Sequence, residues 1–285
     1  VSRTSTVTIT LAHSPDADDA FMFYALARGK IPTGERRYRH ELADIETLNR
    51  RALEGELEVT AVSVHTLAHV AERYAVLAHG ASVGDRYGPR LVATRPPPRD
   101  PRAALAGRRI AVPGTLTTAY LALRLYQPRF EPVAIPFDRI EDAVLAGKVD
   151  AGLLIHEGQL TYADRGLHVW ADLGEWWGGE TGLPLPLGVN VARRDLGAEL
   201  IEAVAGDLKA SIAYALEHRD EALEYAMGFA RGLDRARADR FVGMYVNHFT
   251  LDLGERGRRA VEALLERAAD RGLAPAVPKL EFIGA

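Results

Sequence analysis

Nine histidines stand in this chain, and one of them, His156, follows the apolar run GLLI (152–155) directly. Such a run reads as a buried strand. An imidazole at the C-terminal end of a buried strand lies where open α/β sheets hold their ligands. With an unperturbed pKa near ~6.5 it can accept a proton at neutral pH. An arbitrary histidine is more often a hydrogen-bonded structural group, and position alone sets His156 apart. Glu157 beside it can orient a ring or cap a helix. His13, His65 and His69, at a strand end and in or near a helix, are weaker candidates.

Three further segments carry groups suited to holding a small molecule. HSPDADDAF (13–21) ends a strand with three aspartates in four positions. These can bind a cation or orient hydroxyls, but carboxylates also favour helix N-termini, and Asp18 or Ser14 can cap the helix that follows. No His or Cys stands at ligand spacing, so no metal is expected. Ser14 and the loop amides are the better candidates for substrate contact. In TAVS (60–63), Ser63 can donate to a carboxylate at the start of the next helix, or simply cap that helix. PGTLTTAY (113–120) is a small-residue loop before a helix. Thr117, Thr118 and the amide of Ala119 suit a carboxylate, and Gly114 with clustered hydroxyls is more than a cap requires. The Gly-Lys-Ser/Thr ending of a nucleotide phosphate loop is missing. Trp170, Trp176 and Trp177 can stack on a ring, but a packed corner between lobes is the favoured reading. No serine-nucleophile elbow, dinucleotide fingerprint or kinase motif is present, and no redox cofactor is suggested.

The elements that must position these groups alternate. VTITLAH (7–13), RYRHELA (37–43) and LEVTAVS (57–63) read as strands separated by amphipathic helical stretches, with YAVLAHGA and RLVATR as further strands. This rhythm predicts a largely parallel sheet. RPPPRDPRAALAG (95–107) reads as an exposed connection. A second α/β run follows, with strands RRIAVP, FEPVAIP, VDAGLLI and LHVWADL, and residues 197–272 read as helical throughout. The expected architecture is α/β, a two-lobed type II periplasmic-binding-protein-like fold with an interlobe cleft. Lobe I is expected over 1–108 plus 192–285 and lobe II over 109–191.

Bulk composition narrows the function. The 285 residues are 47% hydrophobic and 26% charged, with a net charge of -4 from 35 basic and 39 acidic residues. The signs are interspersed, so neither nucleic acid nor a membrane surface is an expected partner. With no cysteine, disulfides, thiolate metal sites and a cysteine nucleophile are excluded. The opening VSRTSTVTITLAHSPDADD has no continuous apolar stretch of a secretory leader, and a cytoplasmic location is expected. A small-molecule substrate is the expected partner. Oligomeric state is not legible.

The segments HSPDADDAFMFYAL, DIETLNRRALEGELEVTAVS, RIAVPGTLTTAYLAL, GLLIHEGQLTY, DLGEWWGGETGLPLPLGVNVARRDLG and YVNHFTLDLGERG together resemble the 1,4-dihydroxy-6-naphthoate synthase family of the futalosine route to menaquinone. The resemblance runs in order from about residue 7 to about residue 272. It implies a carbon–carbon lyase acting on cyclic dehypoxanthinylfutalosine, with His156 as proton acceptor. It further implies substrate contacts at Ala61, Val62 and Ser63 and at Thr118 and Ala119, with Asn49 near the cleft. The family motif is often Ser-Pro-Cys-Pro-Asn-Asp-Thr-Phe, whereas this chain reads Ser-Pro-Asp-Ala-Asp-Asp-Ala-Phe (14–21). Leu116 stands where the family can carry a His. The alternatives are a chorismate dehydratase of the same pathway, which shares the fold, and a non-catalytic carboxylate-binding protein.

Overall fold

The computed structural model describes residues 6–277 and 279–284. The chain starts with β1 (Val7–His13), α1 (Ala17–Ala27), β2 (Arg36–Leu42), α2 (Ile45–Glu54), β3 (Val59–Ser63), α3 (Val64–Val70), β4 (Tyr74–Leu77) and β5 (Ser82–Gly84). It then builds a second layer system from β6 (Arg90–Ala93), α4 (Pro101–Ala104), β7 (Arg109–Val112), α5 (Thr118–Tyr126), β8 (Glu131–Ala134), α6 (Ile140–Leu145), β9 (Ala151–Leu154), α7 (Gly158–Thr161), β10 (His168–Asp172) and α8 (Leu173–Thr181). It returns through β11 (Leu185–Arg193) to α9 (Ala198–Glu217), α10 (Arg219–Met227), α11 (Arg235–Tyr245), α12 (His248–Leu251), α13 (Gly254–Asp270) and β12 (Phe282–Ile283).

One sheet runs β12-β4-β11-β3-β1-β2, with β5 also paired to β11, and the other runs β10-β6-β9-β7-β8. Both are mixed, which corrects the expectation of a largely parallel sheet. β1 is parallel to β2 and β3, and β7 is parallel to β8 and β9. The strands beside the crossings are antiparallel: β11 to β3, β4 and β5, and β6 to β9. A strand that enters a lobe from the other side arrives against the local direction, which reverses the pairing there.

Sheet membership also shifts the expected lobe limits. β6 belongs to the second sheet and β11 to the first. The chain therefore crosses within 85–89, not near 108, and crosses back near 183–184, not near 191. The triple-proline stretch is exposed as expected, but it is a surface loop inside the second lobe, not the crossing itself. β5, α8 and the nine-residue β11 were not anticipated as elements.

Burial follows the alternation. β9 is buried at every position, which suits a strand covered on both faces. One apolar cluster joins Val62 and Val64 of the first lobe to Ile110, Leu121, Leu153 and Trp177 of the second. A second packs α1 against α9, α10 and α11, and a third lies under α6 on the far side of the second sheet. Trp177 is fully buried with its indole N–H donating to the Pro184 carbonyl at 3.1 Å. Of the three tryptophans it alone is fully buried; Trp170 and Trp176 are half-buried. Among the described residues, no helix is long and apolar enough to cross a membrane.

Candidate active site

The ends of β1, β3, β7 and β9 converge on one cleft of about 750 Å³, its open mouth included. A concave cleft at strand ends between two lobes suits a small-molecule site. Ser14, Asp16, Asp18 and Asp19 line it from the β1–α1 loop, and Ala61, Val62 and Ser63 from the end of β3. Thr117, Thr118 and Ala119 contribute from the start of α5, and Ile155 and His156 from the end of β9. Eight of the nine candidate residues from the sequence thus share one cavity with no Lys or Arg among its lining groups.

Asn49 is the exception. It is fully buried on α2 behind the wall. Its amide donates to the Ser63 hydroxyl at 3.0 Å, and its carbonyl accepts the Ser63 N–H at 2.8 Å. With Asn49 donating to the Ser63 oxygen, the Ser63 hydroxyl proton is free to point into the cleft. Ser63 occupies the N-cap position of α3 but makes no side-chain cap bond. Its hydroxyl belongs to the cleft.

The start of α5 is built for an anion, though by its amides more than by its hydroxyls. Thr117 caps the helix: its Oγ1 accepts the Tyr120 N–H at 3.2 Å and donates to the Gly114 carbonyl at 2.9 Å. Thr118 Oγ1 donates to the Leu187 carbonyl at 2.6 Å and accepts the His65 N–H at 3.2 Å. These two bonds tie α5 to β11 and α3 across the lobes. The N–H groups of Thr118 and Ala119 have no acceptor among the described residues, as first-turn amides do not, and they carry the positive end of the helix. Gly114 lets this turn form. Its φ is +153°, and a Cβ there would lie 2.2 Å from the Glu46 carboxylate. That carboxylate accepts the Leu116 N–H at 3.1 Å. Thr117→Ala is expected to cost about 1 kcal/mol through the lost cap. It should also raise KM while leaving kcat within about twofold, measured by thermal melting and steady-state kinetics.

The opposite chemistry gathers at the start of α1. Neither Asp18 nor Ser14 caps that helix. Asp16 holds the N-cap position, and even it makes no cap hydrogen bond. The Ser14 N–H donates to Asp19 Oδ2 at 2.7 Å. Asp18 Oδ1 is buried with no partner. Burial pushes the Asp18 carboxyl up to about 7, with the charges of Asp16 and Glu157 adding to the shift and His156 opposing it. Burial raises Asp19 well above its ordinary value too. Asp16 rises to about 6 by burial, held down partly by Arg231. These are costly groups, and the loop concentrates them on the cleft wall.

His156 takes a left-handed backbone conformation, φ +55°, which only a few per cent of non-glycine residues adopt. Its side chain is 16% exposed, and Nδ1 lies 3.1 Å from Asp16 Oδ2. Phe137 meets its ring edge-on at 4.7 Å. Burial is the main cause that lowers its pKa, so the ring is neutral at pH 7 and available as a base. Glu157 does not cap α7. Its carboxylate lies 3.5 Å from Arg231 Nη1.

The other weighed histidines do not line the cleft. His13 is buried against Phe23 and His40, with burial and the neighbouring His40 depressing it to about 3. His65 and His69 pair with each other on α3. Sequence reasoning missed Gln159 and Tyr245, which bond to each other at 2.7 Å in the cleft wall. It also missed Asn190, and Arg231 behind Asp16. Tyr245 and Asn190 lie within the YVNHFT and LPLPLGVNV segments, whose polar groups amid apolar runs were their only mark. Among the described residues, no group of three or more His, Asp or Glu is disposed to hold a metal ion.

Comparison with known proteins gives the family and the fold. A family profile described as menaquinone biosynthesis matches residues 9–270. The chain is 46% identical over 275 residues to the 1,4-dihydroxy-6-naphthoate synthase of Thermus thermophilus, covering 96% of this chain and 99% of that protein. It is 44% identical over 276 residues to the synthase of the same name from Streptomyces coelicolor, covering 95% and 96%. The crystal structure of protein AF1704 from Archaeoglobus fulgidus superposes with a TM-score of 0.89 at 53% identity, covering 93% of this chain and 98% of that one. The alkanesulfonate-binding protein SsuA of Xanthomonas axonopodis pv. citri, solved with MOPS bound, shares the fold with a TM-score of 0.73 at 14% identity, covering 95% and 96%. The two-lobed fold is therefore that of periplasmic binding proteins, and the chain belongs to the menaquinone-biosynthesis family that includes the 1,4-dihydroxy-6-naphthoate synthases.

Proposed function

We propose that this chain is a carbon–carbon lyase that converts cyclic dehypoxanthinylfutalosine to 1,4-dihydroxy-6-naphthoate, with His156 as proton acceptor. The observation that carries the reading is the meeting of two kinds of group in one cleft. A neutral imidazole at the end of β9 shares the cavity with the free amides of Thr118 and Ala119 and the hydroxyl of Ser63. A substrate bearing both a carboxylate and a reactive hydroxyl matches that pairing. Its carboxylate accepts from the α5 amides and Ser63, and its hydroxyl faces His156. Proton transfer to the imidazole leaves an alkoxide that collapses to a carbonyl, breaking the adjacent carbon–carbon bond. The released electron pair enters the ring that becomes aromatic, which helps drive the cleavage. Ala61 and Val62 shape the wall, and Asn49 sets the Ser63 hydroxyl.

The test is incubation of the purified protein with cyclic dehypoxanthinylfutalosine and, separately, with chorismate, followed by mass spectrometry. Formation of the dihydroxynaphthoate supports the proposal. Turnover of chorismate instead, or binding of either compound without product, overturns it.

A further inference from the structure

We infer that Asp16 is a positioning residue for His156, and that Arg231 reaches over to hold Asp16 in that role. The inference rests on the reading of His156 as the base. It starts from an unused cap. Asp16 stands at the N-cap of α1 yet gives no hydrogen bond to that helix, although a cap bond is the usual use of an aspartate there. Its side chain is only 3% exposed, and Oδ2 lies against His156 Nδ1. Among the described residues, Asp16 is the one acidic side chain within 4 Å of a His156 ring nitrogen. A proton on Nδ1 facing the carboxylate leaves the Nε2 lone pair for the substrate. When Nε2 takes a proton, the resulting imidazolium already faces a negative charge.

Arg231 explains how a buried carboxylate stays charged. Nη2 lies 2.7 Å from Asp16 Oδ1 and donates to the Pro15 carbonyl at 3.1 Å. The guanidinium lies 4.5 Å over the Phe137 ring, the same ring that meets His156 edge-on. Arg231 itself is held at φ +46°. Two non-glycine residues in the left-handed region thus flank one carboxylate, one from each lobe, and strain of that kind persists only where its surroundings fix it. The loop between α10 and α11 brings Arg231 to the β1–α1 loop of its own lobe and to Phe137 and Glu157 of the other. The charged groups that bear on His156 are Asp16, Asp18, Glu157, Arg231 and Asp44. Asp16 is the one in contact with its ring nitrogen.

The decisive measurement needs no variant. The long-range proton–nitrogen NMR spectrum of the intact protein at pH 8 should show His156 carrying its proton on Nδ1. A proton on Nε2 overturns the inference. Asp16→Asn should then lower kcat about 10- to 100-fold with KM within about threefold. It should move the acidic limb of the kcat/KM profile to lower pH, because removing a negative neighbour makes the imidazolium less favourable. Asp16→Glu should recover part of the loss. Arg231→Gln should fall in the same direction and respond to pH in the same sense. An Asp16→Asn enzyme with wild-type kcat and an unmoved limb overturns the inference, as does a loss of kcat that leaves the limb and the tautomer unchanged. His156→Asn separates the two readings: if it is inactive while Asp16→Asn is fully active, the positioning role alone fails. If His156→Asn is active, the base assignment fails with it.

Discussion

Replacing His156 with asparagine is expected to lower kcat/KM about a thousandfold, with substrate affinity and fold preserved. The size follows from general base catalysis, which contributes roughly 10²–10⁴ in rate, or about 3–5 kcal/mol of barrier. Asparagine is the informative replacement because the site constrains the backbone as well as the side chain. His156 is held at φ +55°, a conformation Asn adopts more readily than most residues. Alanine there would mix the loss of a base with the cost of a left-handed alanine. The affinity should survive because the groups assigned to the carboxylate, the Ser63 hydroxyl and the α5 amides, lie on other elements. Single-turnover kinetics with mass-spectrometric detection and a separate binding isotherm give the two quantities. If product forms at the wild-type rate, another group takes the proton. A binding constant weakened as much as the rate would instead make His156 a ligand contact.

That His156 was visible from sequence reflects a local rule. A polar residue ending a buried strand can be found by reading along the chain, and Ser63 and Thr117–Ala119 were found in the same way. Asp16 and Arg231 could not be. Their 2.7 Å contact joins positions 215 apart in sequence, and no local pattern distinguishes Arg231 from the basic residues on the C-terminal helices around it. The aspartates of 16–19 suit cation binding, hydroxyl contacts and helix capping alike, and the sequence does not separate these roles. Burial by α9–α11 and the second lobe raises the carboxyls of Asp16 and Asp18 to about 6 and about 7, and that of Asp19 well above its ordinary value. The lobe boundary failed for a related reason. Proline and charge mark an exposed loop well, but an exposed loop need not be a crossing. The real crossings, 85–89 and 183–184, are short and pass beside buried β5 and β11, so composition does not announce them. Pro184 immediately precedes β11 and Pro186 is its second residue, and prolines so placed argue against a strand. Pro186 is tolerated where the β11–β5 register shifts.

Asp18→Asn is expected to stabilise the protein and, above pH 7, to improve its affinity for a carboxylate-bearing substrate. Asp18 is buried with an unpartnered Oδ1, and burial raises its carboxyl from 3.8 to about 7. The sign follows from linkage. A carboxyl whose folded pKa lies above its unfolded value binds a proton more tightly in the folded state. Its stability contribution is fully present below about pH 4 and is lost as pH rises through about 7. Asparagine has no such dependence. The variant should therefore exceed the wild type most at pH 8, by a few kcal/mol at about 1.4 kcal/mol per pH unit, which is several degrees in Tm. The margin should shrink through pH 7 and vanish below pH 4. His13, depressed to about 3 by burial, loses stability as pH falls below about 6.5, but it does so in both proteins and cancels in the difference. Asp19 gains as well, since the charge of Asp18 is among the causes that raise it. KM should fall at pH 8, where the wild-type Asp18 is ionised and opposes an anion, and should be unchanged at pH 5.5, where Asp18 is already neutral. Equal melting temperatures at pH 8 would mean that Asp18 is not charged at a cost in the folded protein. A stability gain without the pH-dependent fall in KM would mean that the charge of Asp18 is not felt by a substrate carboxylate seated at the α5 amides and Ser63.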